Sequence, residues 1–278
     1  MTKPDHSQRL LAQVNEKQGI EKLLAVMSAL RDPQGGCEWD LKQNYATIVP
    51  FTIEEVYEVV EAIETNDFES LKGELGDLLF QIVFYAQLAK EEGRFDFQQI
   101  AEVVSQKLVS RHPHVFSDAS FSSESELSDA WEKHKQQERQ QRNKTANASM
   151  LDDIPKALPE LKRAHKLQKR AAKAGFDWSS VDPVWEKLTE ESLEVKQAAE
   201  SAEQDKLEEE IGDLLFTAVN LARHYRVDAD LALRKANHKF EARFRTLEKR
   251  ANKPLTQMTL AELDEIWNQA KASLSETE

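Results

Sequence analysis

One acidic pattern is written twice in this chain, and the copies stand a fixed 136 residues apart, as 190 − 54 and 213 − 77 both give. The first copy is Glu54-Glu55-x-x-Glu58, then fifteen residues, then Glu74-x-x-Asp77. The second is Glu190-Glu191-x-x-Glu194, then fifteen residues, then Glu210-x-x-Asp213. The residues around the last acid repeat as well: Gly76-Asp77-Leu78-Leu79-Phe80 answers Gly212-Asp213-Leu214-Leu215-Phe216. A repeat of this kind constrains organisation more than any single motif. Because the acids recur with their apolar support, both scaffold and site are duplicated. A length of 278 residues suits two such units.

The units should be helical. Long stretches are rich in Ala, Leu, Glu, Lys and Gln, only eight glycines and eight prolines occur, and strand-like alternation is scarce. The expected class is all-α: two tandem helical modules, at 1–118 and 151–278, joined by a linker over 119–150. In the first, helices are expected over 20–30, 52–64, 68–91 and 97–110. Pro50-Phe51-Thr52 reads as the opening of the second of these, with Thr52 and Glu55 at capping-box spacing. The linker carries a serine-rich acidic stretch and a charged helix over 129–144. Helices over 161–174, 182–202, 206–225, 228–249 and 259–270 follow. Gly76 and Gly212, inside helices, read as points of close helix packing.

A net charge of −13 argues against duplex nucleic acid or an anionic membrane as the main partner, since both require basic patches. It leaves a phosphate substrate open, because a bound divalent metal reverses the local sign of a site. The single cysteine, Cys37, excludes an intrachain disulfide framework. The first nineteen residues are polar and do not read as a signal peptide. The most apolar run, 75–89, is interrupted by Asp77, Gln81 and Gln87, so no segment is expected to span a membrane. A cytoplasmic protein is the expectation.

On a helix, Ile53, Val56, Val59, Val60 and Ile63 share one arc, and Glu54, Glu55, Glu58 and Glu61 the other. No Lys or Arg occurs between Gln43 and Leu71. In a partly buried groove, two carboxylates about 5 Å apart repel by roughly 3 kcal/mol at an effective dielectric near 20. Such a face is either solvated or neutralised by a cation. A solvated face is the ordinary outcome for one isolated cluster. Here the cluster recurs, and its Glu-x-x-Asp partner lies in apolar sequence, where an unpaired acid is costly. Carboxylates from two neighbouring helices form an oxygen-only set, which suits Mg²⁺ or Mn²⁺.

Glu-Glu-x-x-Glu followed by Glu-x-x-Asp resembles the motif of the MazG family within the all-α nucleoside triphosphate pyrophosphohydrolases. Leu30-Arg31-Asp32-Pro33, Gly36-Cys37 and Trp39-Asp40 resemble that family's N-terminal segment. Arg111-His112-Pro113-His114-Val115-Phe116 resembles the end of its first module, and Gly175-Phe176-Asp177-Trp178 the entry to its second. Glu38 departs from the pattern, standing where the family usually has Pro. The resemblance covers nearly the whole chain. It implies Mg²⁺-dependent hydrolysis of nucleoside triphosphates to the monophosphate and pyrophosphate, and a homodimer. It also implies metal binding by Glu191, Glu194, Glu210 and Asp213, phosphate binding by Lys239 and Arg243, and nucleotide contact by Lys206 and Trp267.

Lys239 and Arg243 are i,i+4 on one helix, so both can address one phosphate chain; the competing reading is a solvated basic face. Lys107 and Arg111 repeat that spacing after the first acids, so Glu55, Glu58, Glu74 and Asp77 with this pair form a second candidate site. The second copy has more cations around it, including Lys187, Lys196 and Lys206, and is the expected main catalytic one. His112 and His114 flank a proline and read as a turn; Trp39 and Trp178 read as core or rim aromatics. No glycine-rich phosphate loop occurs. Two rival readings remain: a sister enzyme acting on one nucleotide, such as dUTP or phosphoribosyl-ATP, and a non-enzymatic acidic helical interaction protein.

Overall fold

The computed structural model describes residues 3–118, 149–201 and 203–275, together with 123, 126 and 130. Among them every regular element is helical. The chain divides into two compact units, Met1–Gln137 and Glu138–Glu278. Apart from residue 130, the charged helix expected over 129–144 lies outside the described residues, as does most of the serine-rich stretch before it.

The first unit contains α1 (Lys3–Asn15), α2 (Gly19–Leu30), α3 (Glu38–Lys42), α4 (Tyr45–Glu64), α5 (Phe68–Glu91), α6 (Phe97–Arg111) and α7 (Pro113–Phe116). Helix α4 opens earlier than the sequence reading placed it. Its cap is Asn44, whose side chain accepts from the Ala46 and Thr47 amides, while Thr47 Oγ1 accepts from the Asn44 amide at 2.9 Å. Pro50 then lies inside the helix, where its missing N–H costs a single backbone bond. Thr52 caps nothing: its hydroxyl donates to Ile48 O at 3.2 Å and meets Tyr85 Oη at 2.8 Å, tying α4 to α5. Glu55 is thereby released from the capping role.

A left-handed residue, Asn66 (φ 56°), turns the chain, and Asp67 caps α5 through the Ser70 amide at 3.0 Å. Helices α4 and α5 form an antiparallel pair, and α2 packs on α5. The core gathers Met27, Ile48, Val83, Phe84 and Leu88. Arg31 closes its edge, bonded in a fork to Glu91, donating to Asp40 O and lying 5.4 Å over the Phe84 ring.

The apolar arc expected to be buried on α4 is turned out instead. Ile53, Val56 and Ile63 are 51%, 43% and 56% exposed. The face toward α5 carries Ile48, Thr52, Glu55 and Ala62. The acids themselves face the partner helix, so the apolar stripe beside them is left without cover in this chain.

The second unit contains α8 (Glu160–Lys173), α9 (Asp182–Ser201), α10 (Gln204–His224), α11 (Ala229–Arg250), a 3₁₀ turn (Leu255–Gln257) and α12 (Leu260–Ser275). It repeats the plan: α9 and α10 form an antiparallel pair and α8 packs on α10, as α2 does on α5. Asp228 caps α11 and accepts from Lys162 of α8 at 2.5 Å. The expectation of close packing at Gly76 and Gly212 fails, because a Cβ at either position would meet nothing within 4 Å.

Candidate metal and nucleotide site

Helices α9 and α10 each contribute acids to the groove between them. One carboxylate oxygen from each of Glu191, Glu194 and Glu210 lies within 4.8 Å of the others. Glu55, Glu58 and Glu74 do the same on α4 and α5. The turn-to-turn spacing on one helix supplies two acids, and the antiparallel partner supplies the third. Asp213 stands apart from its triad but lines a cavity together with Glu191. Asp77 likewise lies outside the first triad, though its charge acts on Glu55.

Crowding of like charges is visible in the protonation of both groups. Partial desolvation, then the Asp77, Glu58 and Glu74 charges, push the Glu55 carboxyl above its ordinary range. Glu58 is raised by desolvation and Glu74, and Glu194 by desolvation and then Glu210 and Glu191.

The two copies differ in one decisive contact. Lys187, one turn before Glu191, bridges Glu190 and Glu191 at 2.8 Å each, and hydrogen bonds from these carboxylates raise its pKa. At the corresponding place, 187 − 136, the first copy has Phe51. Glu191 is also only 3% exposed, and its Oε2 is buried without a hydrogen-bond partner. A sealed, unpaired carboxylate oxygen is among the costliest groups a protein can bury. A divalent cation with a preference for oxygen satisfies it, and the all-carboxylate donor set fits Mg²⁺ or Mn²⁺.

The cavity occupies about 700 Å³ and runs from Glu191 and Asp213 along α10 past Thr217 and Asn220, with Gln168 of α8 and Trp178 in its walls. The sequence reading found its acidic end and missed Gln168, Thr217 and Asn220. The available signal was three polar residues buried to 7%, 7% and 8% exposure. Polar side chains on a helix look solvated until the packing is known.

Of the other expected residues, none lines this cavity. Lys206 is exposed in the first turn of α10. Lys239 is exposed on α11, whereas Arg243 is half-buried with its Nε sealed and unpartnered. Trp267 of α12 packs against Phe240 with ring centroids 5.3 Å apart. Lys107 and Arg111 sit half-buried on α6, which packs on α5. His112 joins α6 to α7, its Nδ1 2.7 Å from Leu108 O, which is the expected turn.

The model of the MazG nucleotide pyrophosphohydrolase domain matches twice, over residues 43–116 and 180–247. The chain belongs to the MazG family. Each matched segment contains one complete acid pattern with its helical pair. The MazG chain is 53% identical over 257 residues to a nucleoside triphosphate pyrophosphohydrolase of Escherichia coli (strain K12), spanning 91% of this chain and 97% of that protein. It is 41% identical over 255 residues to a protein of Thermotoga maritima named nucleoside triphosphate pyrophosphohydrolase/pyrophosphatase MazG, spanning 91% and 95%. It is 40% identical over 251 residues to the uncharacterized protein YabN of Bacillus subtilis, spanning 89% of this chain and 50% of that one.

Proposed function

We propose that this MazG chain hydrolyses nucleoside triphosphates to nucleoside monophosphate and pyrophosphate, with Mg²⁺ held by Glu191, Glu194, Glu210 and Asp213. The observation that carries the reading is the buried, unpartnered Oε2 of Glu191, packed among like charges at the mouth of a cavity. Mn²⁺ fits the same ligands. When bound, the ion supplies charge neutralisation of the triphosphate and a more acidic water. Glu191 or Glu194 takes the proton of the attacking water; the raised carboxyl of Glu194 brings it toward the basicity such a group needs. Lys239 and Arg243 stabilise the departing pyrophosphate, and the unpartnered Nε of Arg243 is available for that contact. Lys206 and Trp267 contact the nucleotide.

The first unit is the lesser site, with Glu55, Glu58, Glu74, Asp77, Lys107 and Arg111. The working partition is 1–118, a linker 119–150, and 151–278. The uncovered apolar stripe on α4 supports a homodimer. No helix among the described residues is long and apolar enough to cross a membrane; a cytoplasmic setting accords with the substrate. A panel of nucleoside triphosphates, assayed for monophosphate and pyrophosphate with Mg²⁺ and with EDTA, tests the proposal. Product release that requires the metal is expected, and undiminished turnover in EDTA overturns it. Turnover of one nucleotide alone, or none, would favour the sister enzyme or the acidic interaction protein.

A further inference from the structure

We infer that the cavity beside the second acid cluster receives the nucleoside half of the substrate, with Gln168 and Asn220 contacting the base and Trp178 stacking on it. This rests on the proposed triphosphate hydrolysis. The two units of the chain supply the comparison. Asn220 occupies the place that Phe84 holds in the first unit, by the same 136-residue offset, and Thr217 that of Gln81. Met27 is buried on α2 against α5 as Gln168 is buried on α8 against α10. The first unit therefore fills this region with core: Met27 and Phe84 are fully buried members of one cluster, capped by Arg31. In the second unit the same region is a cavity of about 700 Å³ with a polar floor, within the usual size of a small-molecule pocket.

That floor is incompletely bonded. Gln168 Nε2 donates to Phe216 O at 2.8 Å, which fixes its amide, and its Oε1 is buried with no partner. Asn220 Oδ1 accepts twice from Arg223, at 2.9 and 2.7 Å, which leaves its amide N–H groups to a ligand. Leaving a buried acceptor unmatched is costly, so the exchange of an apolar pair for these amides calls for an occupant. An acceptor beside a donor suits the polar edge of a nucleobase, after a small turn of the Gln168 side chain.

The wall is set for stacking. Asp177 is pinned by Arg223, whose Nη1 and Nη2 lie 2.9 and 2.5 Å from its carboxylate, and it also accepts from the Trp178 amide at 3.0 Å. Trp178 is held at the rim, 42% exposed and free of ring partners. Its counterpart before the first acid helix, Trp39, already packs edge-on against Phe51 at 5.9 Å, the residue that replaces Lys187. At its other end the cavity opens onto Glu191 and Asp213, so a base lodged here places its triphosphate over the acids.

The test compares kcat/KM for ATP, GTP, CTP and UTP with that for ribose 5-triphosphate, which lacks the base. The wild type should favour the nucleotides by about tenfold or more, the contribution of one stacked base. Gln168→Met and Asn220→Phe, each introducing the first unit's own residue, should bring the nucleotide values down toward that of ribose triphosphate. Trp178→Ala should do so for all four bases alike. Gln168→Met conserves volume and keeps the test available should Asn220→Phe not fold. Equal kcat/KM for nucleotides and ribose triphosphate in the wild type overturns the inference alone. An unchanged ratio in all three variants, with both substrates falling together, reduces these residues to structure and also overturns it. No pyrophosphate from any substrate with Mg²⁺ overturns the proposed hydrolysis and this inference with it.

Discussion

At the scale of single residues, the two acid clusters look alike and are not equivalent. Both bring three glutamates within 4.8 Å, yet only Glu191 is neutralised from one side by lysine and left bare on the other. The first cluster faces Phe51 instead. A triphosphate carries about four negative charges and is drawn to the copy with more cations. Glu210→Gln should therefore remove most pyrophosphate release and Glu74→Gln leave most of it; the reverse ranking would show that local cations are the wrong criterion. Arg243 is judged the same way. Arg243→Ala should lose about 2–4 kcal/mol of transition-state stabilisation, as for one charge-assisted group in a desolvated site, whereas the exposed Arg250→Ala should lose little. Equal small effects on kcat/KM would return Arg243 to the solvent face. The acids were legible in the sequence because repetition separated them from ordinary helix-surface glutamates. Gln168 and Asn220 were not, since a buried amide and an exposed one read identically until a neighbouring helix covers one of them.

At the scale of elements, the long helices were legible from composition and their breaks from Asn66-Asp67 and Asp182-Pro183. The start of α4 was not. Pro50 and Thr52 imitate a helix start, while the working cap, Asn44 with Thr47, sits one and a half turns earlier in unremarkable sequence. Tertiary contact decided it: Thr52 is occupied with Tyr85 of α5. The tie between α2 and α5 yields a pH prediction. Hydrogen bonds from Arg31, then from Gln87, hold the Glu91 carboxyl below the usual carboxylate range. A depressed carboxylate stabilises fully above its unfolded pKa of about 4.3 and loses that contribution as pH falls through the lower folded value. The melting-temperature gap between wild type and Glu91→Gln should be constant from neutral pH to about pH 5 and narrow below about pH 4. A gap that widens in acid would reverse the sign assigned to this pair.

At the scale of the whole molecule, the duplication and the all-α class followed from the repeat, but the direction in which each helix faces did not. The acid-bearing side of α4 looks inward and its apolar arc outward, because the groove between α4 and α5 is where the carboxylates meet. Ile53, Val56 and Ile63 on α4, and Ile211 and Leu215 on α10, are left 42–56% exposed. An apolar stripe of this kind on a helix demands a partner surface, and a second copy supplies one. Sedimentation at micromolar concentration should therefore give about twice 31.8 kDa, and Val56→Glu should shift the protein toward the single chain. Gly212 sharpens the test. With open space beside it, Gly212→Ala should stabilise a lone chain by up to about 1 kcal/mol through helix propensity. If a second copy packs closely against α10, the added methyl instead weakens association, and the melting temperature falls with dilution. A single 31.8 kDa species whose melting temperature rises in Gly212→Ala, at every concentration, would show that the chain stands alone.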